Sequence, residues 1–323
     1  MIITLTLNPA MDKTVFLDRL VVGEVNRAKE SLIDPGGKGI NVSRVIRELG
    51  QESLAMGFVS GSVGRFVEHA LNDRGIFDDF IHTPGQTRTN IEIVEQGRGV
   101  TTNINDTGPT TDPKFVKALR ARLHAHLTFG SWLVVAGSVP PGIEPDVYAG
   151  FIDFAKKLGA NTILDADGTP LVLGVAAGPT MIKPNWRELE ALVGRLIADE
   201  ADVFTAAMNL HERGIEYVVV SMGKQGSIAI CNEGKWKVIS PQIKVVSTTG
   251  AGDSLVAGIV LSLAGGKPFV EGLRLGTAAG AATALAPGTQ LCKKEDVDRL
   301  IPQVQIIPLS DETYASHRGA SLG

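Results

Sequence analysis

Cysteine is nearly absent from this chain: Cys231 and Cys292 are the two in 323 residues. That excludes a disulfide framework and fits a reducing compartment, so the expected location is the cytoplasm. No apolar run reaches the ~18 residues of a membrane span. The opening MIITLTLNPAMDK has neither the charged n-region nor the cleavage site of a signal peptide. Excess positive charge is missing too. Lys and Arg number 31 against 35 Asp and Glu, for a formal net charge of −4. No nucleic-acid or membrane partner is expected from that balance, although a local cluster of cations around a small anion is still open.

Two nucleotide signatures also fail. Every Gly-Lys pair (37–38, 223–224, 234–235, 266–267) is followed by Gly, Gln, Trp or Pro, so there is no P-loop. The G-x-G starts at 37, 97 and 250 lack a third glycine, which disfavours a nicotinamide enzyme. Any nucleotide must be held in another way.

What is present is rhythm. Apolar runs at 2–7, 54–59, 132–137, 161–166, 180–184 and 217–223 read as buried strands. Helical periods at 39–49, 63–74, 113–127, 146–158 and 200–213 alternate with them, giving a three-layer α/β fold with a mostly parallel sheet. Residues 13–33 and 88–105 break the pattern. In RTNIEIV, Arg88, Asn90 and Glu92 share one face while Ile91 and Ile93 take the other. These insertions predict a small β-sheet lid on a single domain, 1–309, followed by a polar tail at 310–323. The lid's apolar face needs cover from the body or from a second subunit.

Two glycine turns open helices. DPGGKGIN places Gly36, Gly37, Lys38 and Asn41 at one helix start, and STTGAGDS places Gly250, Ala251, Gly252 and Asp253 at another. Helix starts gather unpaired N–H groups and suit anions. A plain turn and a plain helix cap are the bland readings of the two. Further polar residues leave strand ends: Ser138 in AGSVPPG, Lys183, Asn185 and Glu188 in IKPNWRELE, and Ser221, Gly223 and Gly226 in SMGKQGS. Ligands of open α/β sheets bind there. Asn185 and Glu188 also have capping-box spacing.

GGKGINVSRVIRELG followed by STTGAGDSLVAGIV resembles the paired signatures of the ribokinase-like carbohydrate kinases, phosphofructokinase B branch. The likeness runs through TLNPAMDKT, GEVNR, TRTNIEI, AGSVPPG, IKPNWRELE and AAGAATALAPGTQL, to about residue 300. It is most similar to the 1-phosphofructokinases and tagatose-6-phosphate kinases. One departure is Ser60, where the first signature usually has glycine.

The resemblance implies an ATP-dependent kinase that uses Mg²⁺. Asp253 would be the catalytic base, with Gly250, Ala251 and Gly252 as the anion hole. Lys183 would approach the phosphates, Ser221, Gly223 and Gly226 would shape the nucleotide side, and Pro287 and Gly288 would lie near the adenine. Asn185 and Glu188 would hold the metal through water, since Mg²⁺ keeps much of its hydration. Asp12 would bind sugar hydroxyls, together with Gly36, Gly37, Asn41 and Ser138. Arg27, Lys38 and Arg88, if they converge, supply three cations that only a phosphorylated acceptor needs. A phosphorylated ketohexose is therefore expected, fructose 1-phosphate first, with tagatose 6-phosphate or fructose 6-phosphate as alternatives. A non-catalytic sugar-phosphate-binding protein is the alternative of another class. A homodimer joined through the lid is the expected assembly.

Overall fold

The computed structural model describes residues 1–310. The expected polar tail therefore lies, from 311 onward, outside the described residues. Fourteen strands form two sheets. They are β1 (Ile2–Thr6), β2 (Ala10–Leu17), β3 (Glu30–Gly36), β4 (Leu54–Val59), β5 (Phe77–His82), β6 (Arg88–Glu95) and β7 (Val100–Ile104), then β8 (Trp132–Ala136), β9 (Asn161–Asp165), β10 (Met181–Ile182), β11 (Tyr217–Ser221), β12 (Ser227–Cys231), β13 (Gly234–Ile239) and β14 (Gln305–Pro308). The helices are α1 (Lys38–Glu48), α2 (Gly61–Asn72), α3 (Lys114–His126), α4 (Val147–Lys157), α5 (Gly168–Ala176), α6 (Trp186–Val193), α7 (Glu200–Glu212), α8 (Ala251–Ala264), α9 (Phe269–Thr283) and α10 (Lys294–Leu300).

The ten-stranded sheet runs β14-β13-β12-β11-β10-β9-β8-β1-β4-β5. From β11 to β5 every pair is parallel, and β12 to β14 add an antiparallel flank. Helices cover both faces, which is why central strands such as WLVVA are apolar throughout. In β8, Leu133 and Val135 pack with Leu119, Tyr148 and Phe151 on one side. Trp132, Val134 and Ala136 pack with Val45, Val256 and Ile259 on the other. Helices α8 and α9 touch backbone to backbone: a Cβ on Gly258 would stand 2.4 Å from Gly276 Cα. Gly258, Gly272 and Gly276 are what permit that approach.

The small sheet runs β3-β2-β6-β7. Its register aligns Asp12 with both Asp34 and Asn90, and Thr14 with Glu92. One face therefore carries Asp12, Thr14, Asp34, Asn90 and Glu92 toward the body. The other carries Ile33, Lys13, Ile91 and Ile104 in a single row. Among the described residues, no helix is long and apolar enough to cross a membrane.

Candidate active site

Five neighbouring strands of the large sheet end in polar residues on one edge. In spatial order from β11 to β1 these are Ser221, Lys183, Asp165, Ser138 and Asn8. Four strand spacings of ~4.8 Å make the row about 19 Å long, enough for a nucleotide and an acceptor end to end.

Two helix starts face this row. Both lack a side-chain cap: α1 begins at Gly37 with φ +115°, and α8 at Gly250 with φ +78°. A side chain on Gly250 would collide with Leu291, so only glycine makes this turn. Ala251 N–H closes the turn on Thr248 O at 3.3 Å, and the next N–H groups of α8, at Gly252 and Asp253, are left as donors for an anion. Asp253 does not cap its helix. It is 7% exposed and accepts a 2.8 Å hydrogen bond on Oδ2 from Asn41 Nδ2. Burial first, and then the nearby charge of Asp165, push its carboxyl up to about 6, against the pull of Lys38, Asn41 and Lys183.

Asp165, which sequence reasoning missed, ties the centre together. Its carboxylate lies 2.9 Å from Lys38 Nζ and 3.5 Å from Lys183 Nζ. Burial would raise its pKa, but the two ammonium groups win and hold it below the usual carboxylate range. Burial would likewise lower Lys38, yet Asp165 and Asp253 keep it above the ordinary lysine range. Lys183 also sits beside the α8 mouth, 3.3 Å from where a Gly252 Cβ would be.

Toward β1 lies a second polar cluster. Asn90 donates to Asp12 at 2.8 Å. Gly36 packs so closely on that carboxylate that a Cβ would stand 1.9 Å from Asp12 Oδ2. Ser138 accepts from Asn8 Nδ2 at 3.1 Å. Arg88 donates to Asn8 O through Nε (3.2 Å) and Nη2 (2.9 Å), and to Asp106 O through Nη1 (2.9 Å). A Cβ on Gly137 would stand 3.9 Å from Lys38, and Arg88 is bonded to Asn8, the partner of Ser138, so two of the three expected cations flank the 137–138 turn. The third does not: Arg27 is exposed in the 18–29 connection, beyond the end of the lid hairpin farthest from Asp12. The backbone reason is simple, because β2 and β3 pair from Ala10–Gly36 outward to Phe16–Glu30 before that connection begins. Asn41, expected at the acceptor end, is bonded to Asp253.

Toward β11 the row opens into a cavity of about 700 Å³. Ser221, Gly223, Gly226, Ala251, Gly252 and Ala284 are among its walls. Pro287 and Gly288 are not. A Cβ on Gly288 would stand 2.4 Å from Thr14 Oγ1, so this turn packs beneath the lid and not against the nucleotide side.

Asn185 and Glu188 form a complete capping box on α6: Glu188 N donates to Asn185 Oδ1 at 3.0 Å, and Asn185 N to Glu188 Oε2 at 2.8 Å. Capping leaves Glu188 Oε1 free to accept, on a side chain whose charge is felt by Lys38. No group of three His, Cys, Asp or Glu residues that could hold a metal ion occurs among the described residues. One amide oxygen and one free carboxylate oxygen are a donor set that suits a hydrated ion.

The lid also reaches the α8 mouth. Glu92, 4% exposed, accepts from Thr14 Oγ1 at 3.2 Å and from Thr249 Oγ1 at 3.0 Å.

Comparison with known proteins agrees with this geometry. The pfkB family carbohydrate kinase model matches residues 5–296. A 1-phosphofructokinase of Bacillus subtilis is 34% identical over 309 residues, covering 96% of this chain and 100% of its own. A tagatose-6-phosphate kinase of Staphylococcus epidermidis is 35% identical over 310 residues, with 95% and 99% covered. The phosphofructokinase-2 of Escherichia coli, solved in complex with substrates and products, is similar with a TM-score of 0.90 and 32% identity over 94% of this chain and 98% of that one. An uncapped helix mouth with a buried carboxylate, matched by a family model over nearly the whole chain, has one reading: the chain belongs to the pfkB family of carbohydrate kinases.

Proposed function

We propose that this kinase transfers the γ-phosphoryl group of ATP to the free terminal hydroxyl of a phosphorylated ketohexose, converting fructose 1-phosphate to fructose 1,6-bisphosphate. The observation that carries the acceptor class is the state of Arg88. Its guanidinium is fixed by backbone carbonyls and enters no ion pair among the described residues. Three of its five N–H groups are used, leaving two and a full charge for an anion beside Asp12 and Asn90. A neutral sugar has no use for that. The names of several relatives, 1-phosphofructokinase among them, support fructose 1-phosphate. A tagatose-6-phosphate kinase among them keeps that acceptor as the second reading.

In this mechanism Asp12 and Asn90 orient the sugar, and Arg88 with Lys38 holds its phosphate. Asp253 takes the proton of the attacking hydroxyl. The new bond joins that oxygen to the γ-phosphorus, the bond to the β-phosphate oxygen breaks, and ADP leaves. The N–H groups of the α8 mouth and Lys183 stabilise charge on the moving phosphoryl group, which is the main catalytic demand of this reaction. Mg²⁺, arriving with the triphosphate, would neutralise phosphate charge, with Asn185 and Glu188 holding its water shell. The three isoleucines of the lid's outer row, Ile33, Ile91 and Ile104, support a dimer closed through that face.

A coupled ADP-release assay across fructose 1-phosphate, tagatose 6-phosphate, fructose 6-phosphate and fructose tests the proposal. The expected result is the highest kcat/KM with fructose 1-phosphate, with the 1,6-bisphosphate as product. Better use of either 6-phosphate would overturn the acceptor assignment alone. No turnover of any phosphorylated ketohexose would leave a sugar-phosphate-binding protein.

A further inference from the structure

Behind Asp253 runs a buried chain of hydrogen bonds that the mechanism above does not use. Asn41 stands between two partners of opposite kind. On one side its Nδ2 donates to Asp253 Oδ2 at 2.8 Å. On the other its Oδ1 accepts from Arg44 Nη1 at 3.1 Å. A guanidinium has only donors, and an ionised carboxylate only acceptors. An amide placed between them has one satisfactory orientation, since the flipped one would lose both bonds.

Arg44 itself is fixed on two further sides, and its partner Asp34 is also reached by Arg74 Nη2 at 3.5 Å. Nη1 also donates to Pro35 O at 3.0 Å, Nη2 pairs with Asp34 Oδ1 at 2.9 Å, and Thr289 Oγ1 holds the other oxygen of Asp34 at 3.2 Å. Both Arg44 and Asp34 are buried. A structural ion pair needs only Asp34; the planar fork of arginine is what reaches Asn41 and the Pro35 carbonyl as well.

We infer that Arg44 is a positioning residue, which locks the Asn41 amide so that it always presents its NH₂ to Asp253. The inference rests on Asp253 being the base. Its consequence is specific. Asn41 stabilises the ionised form of Asp253, so losing the lock moves the proton affinity of the base upward. The other groups acting on that carboxylate are Asp165 at the end of β9, Lys38 on α1 and Lys183 beyond β10. Arg44 also interacts with Asp253 through its charge. Arg44→Lys keeps that charge and the partner of Asp34 while removing the fork.

The test is the pH dependence of kcat, in which free substrates do not titrate. Arg44→Lys should shift the acid limb upward by about half a pH unit or more, with KM for ATP unchanged. Asn41→Ala should give the same shift, and the double variant no more than either alone, because both break one chain. A uniform fall in kcat with the limb unmoved would make Arg44 merely structural. Additive shifts would mean that it acts on Asp253 without Asn41. Either result overturns the inference. Should Arg44→Lys not fold, Arg44→Gln with Asp34→Asn is compared in the wild type and in Asn41→Ala: no further shift is expected in the Asn41→Ala background, and an added shift there would be that of the lost Arg44 charge and would overturn the inference. Asp253→Asn, run in parallel, separates the two levels. If the acid limb survives there, the limb is not that of Asp253 and the base assignment fails. If it vanishes there while Arg44→Lys matches the wild type, only the role of Arg44 fails.

Discussion

Lys38 and Asp165 are ion-paired across the cleft, Nζ to Oδ1 at 2.9 Å, joining the start of α1 to the end of β9. The pair sets the charge around the base. Asp165→Asn removes the acidic neighbour that raises Asp253, so the acid limb of kcat should move below about 6. It also leaves Lys183, 6% exposed, without its carboxylate. Unpairing a buried charge costs about 3 kcal/mol, to be read in chemical denaturation. A limb that stayed in place would mean that Asp165 does not act on the base.

Asp253→Asn should lower kcat by about two to four orders of magnitude, the usual worth of a positioned general base, while KM for ATP changes little. The same variant carries a stability signature. The folded pKa of about 6 lies above the ordinary 3.8, so the native state prefers the protonated carboxyl. Stability from this group is complete below the ordinary value and is lost as pH rises through about 6. Roughly two pH units are worth about 3 kcal/mol. Thermal melts should therefore show the Asn variant above the wild type at pH 7.5, with the gap closing by pH 4. A gap independent of pH would contradict a raised carboxyl.

Glu188→Gln separates two roles of one side chain. A glutamine keeps the capping bond to Asn185 N, so the melting temperature should hold. Removing the charge should raise the Mg²⁺ concentration needed for half-maximal rate. Titrations that superimpose on the wild type would confine Glu188 to capping.

Arg88→Ala should reduce kcat/KM for the phosphorylated ketohexose by about tenfold to a hundredfold, the worth of a charge-assisted contact. Activity on the unphosphorylated sugar should scarcely change. Equal damage to both acceptors would show that Arg88, through its bonds to Asn8 and Asp106, shapes the lid and does not read the phosphate.

The lid row predicts association. Ile33 and Ile104 are 46% and 52% exposed, and Ile91 lies between them in register with Lys13. Sedimentation at micromolar concentration should give a dimer, and Ile91→Glu should shift it to monomer. A wild-type monomer with full activity would end this proposal.

Much of this was legible because period and position speak for themselves. The central parallel strands β4, β8 and β11 are largely apolar runs, and Asn90 to Ile93 alternate polar with apolar, so strand period puts Arg88, Asn90 and Glu92 on one face. The two edges of the large sheet are harder to read. β14 is four residues ending in a proline, and β5 carries Asp78 and Asp79 with Phe77 exposed, as edge strands do. Asp165 was missed because an acid ending an apolar run looks like any solvated turn residue; the signal was its place at a strand's carboxyl end. Asn90 was read for its face but not for a partner. Arg44 falls within an ordinary helical pattern, and nothing local says that it is buried or that Asp34 awaits it. Arg27 is hard to place for the opposite reason: sequence gives a loop's charge but not which end of a hairpin it caps.

Glu92 gives the lid a mechanical meaning. The strand that carries Arg88 and Asn90 toward the acceptor also carries, two residues on, the carboxylate bonded to Thr249, the residue before the α8 mouth. The two ends of the site therefore share one rigid strut. A lid transplanted from a kinase without a carboxylate at position 92 would leave Thr249 without its acceptor, and the chimaera would inherit new acceptor contacts together with a loosened anion hole. Exchange of acceptor specificity in this scaffold is thus a problem of paired inheritance, in which strand and turn have to travel together.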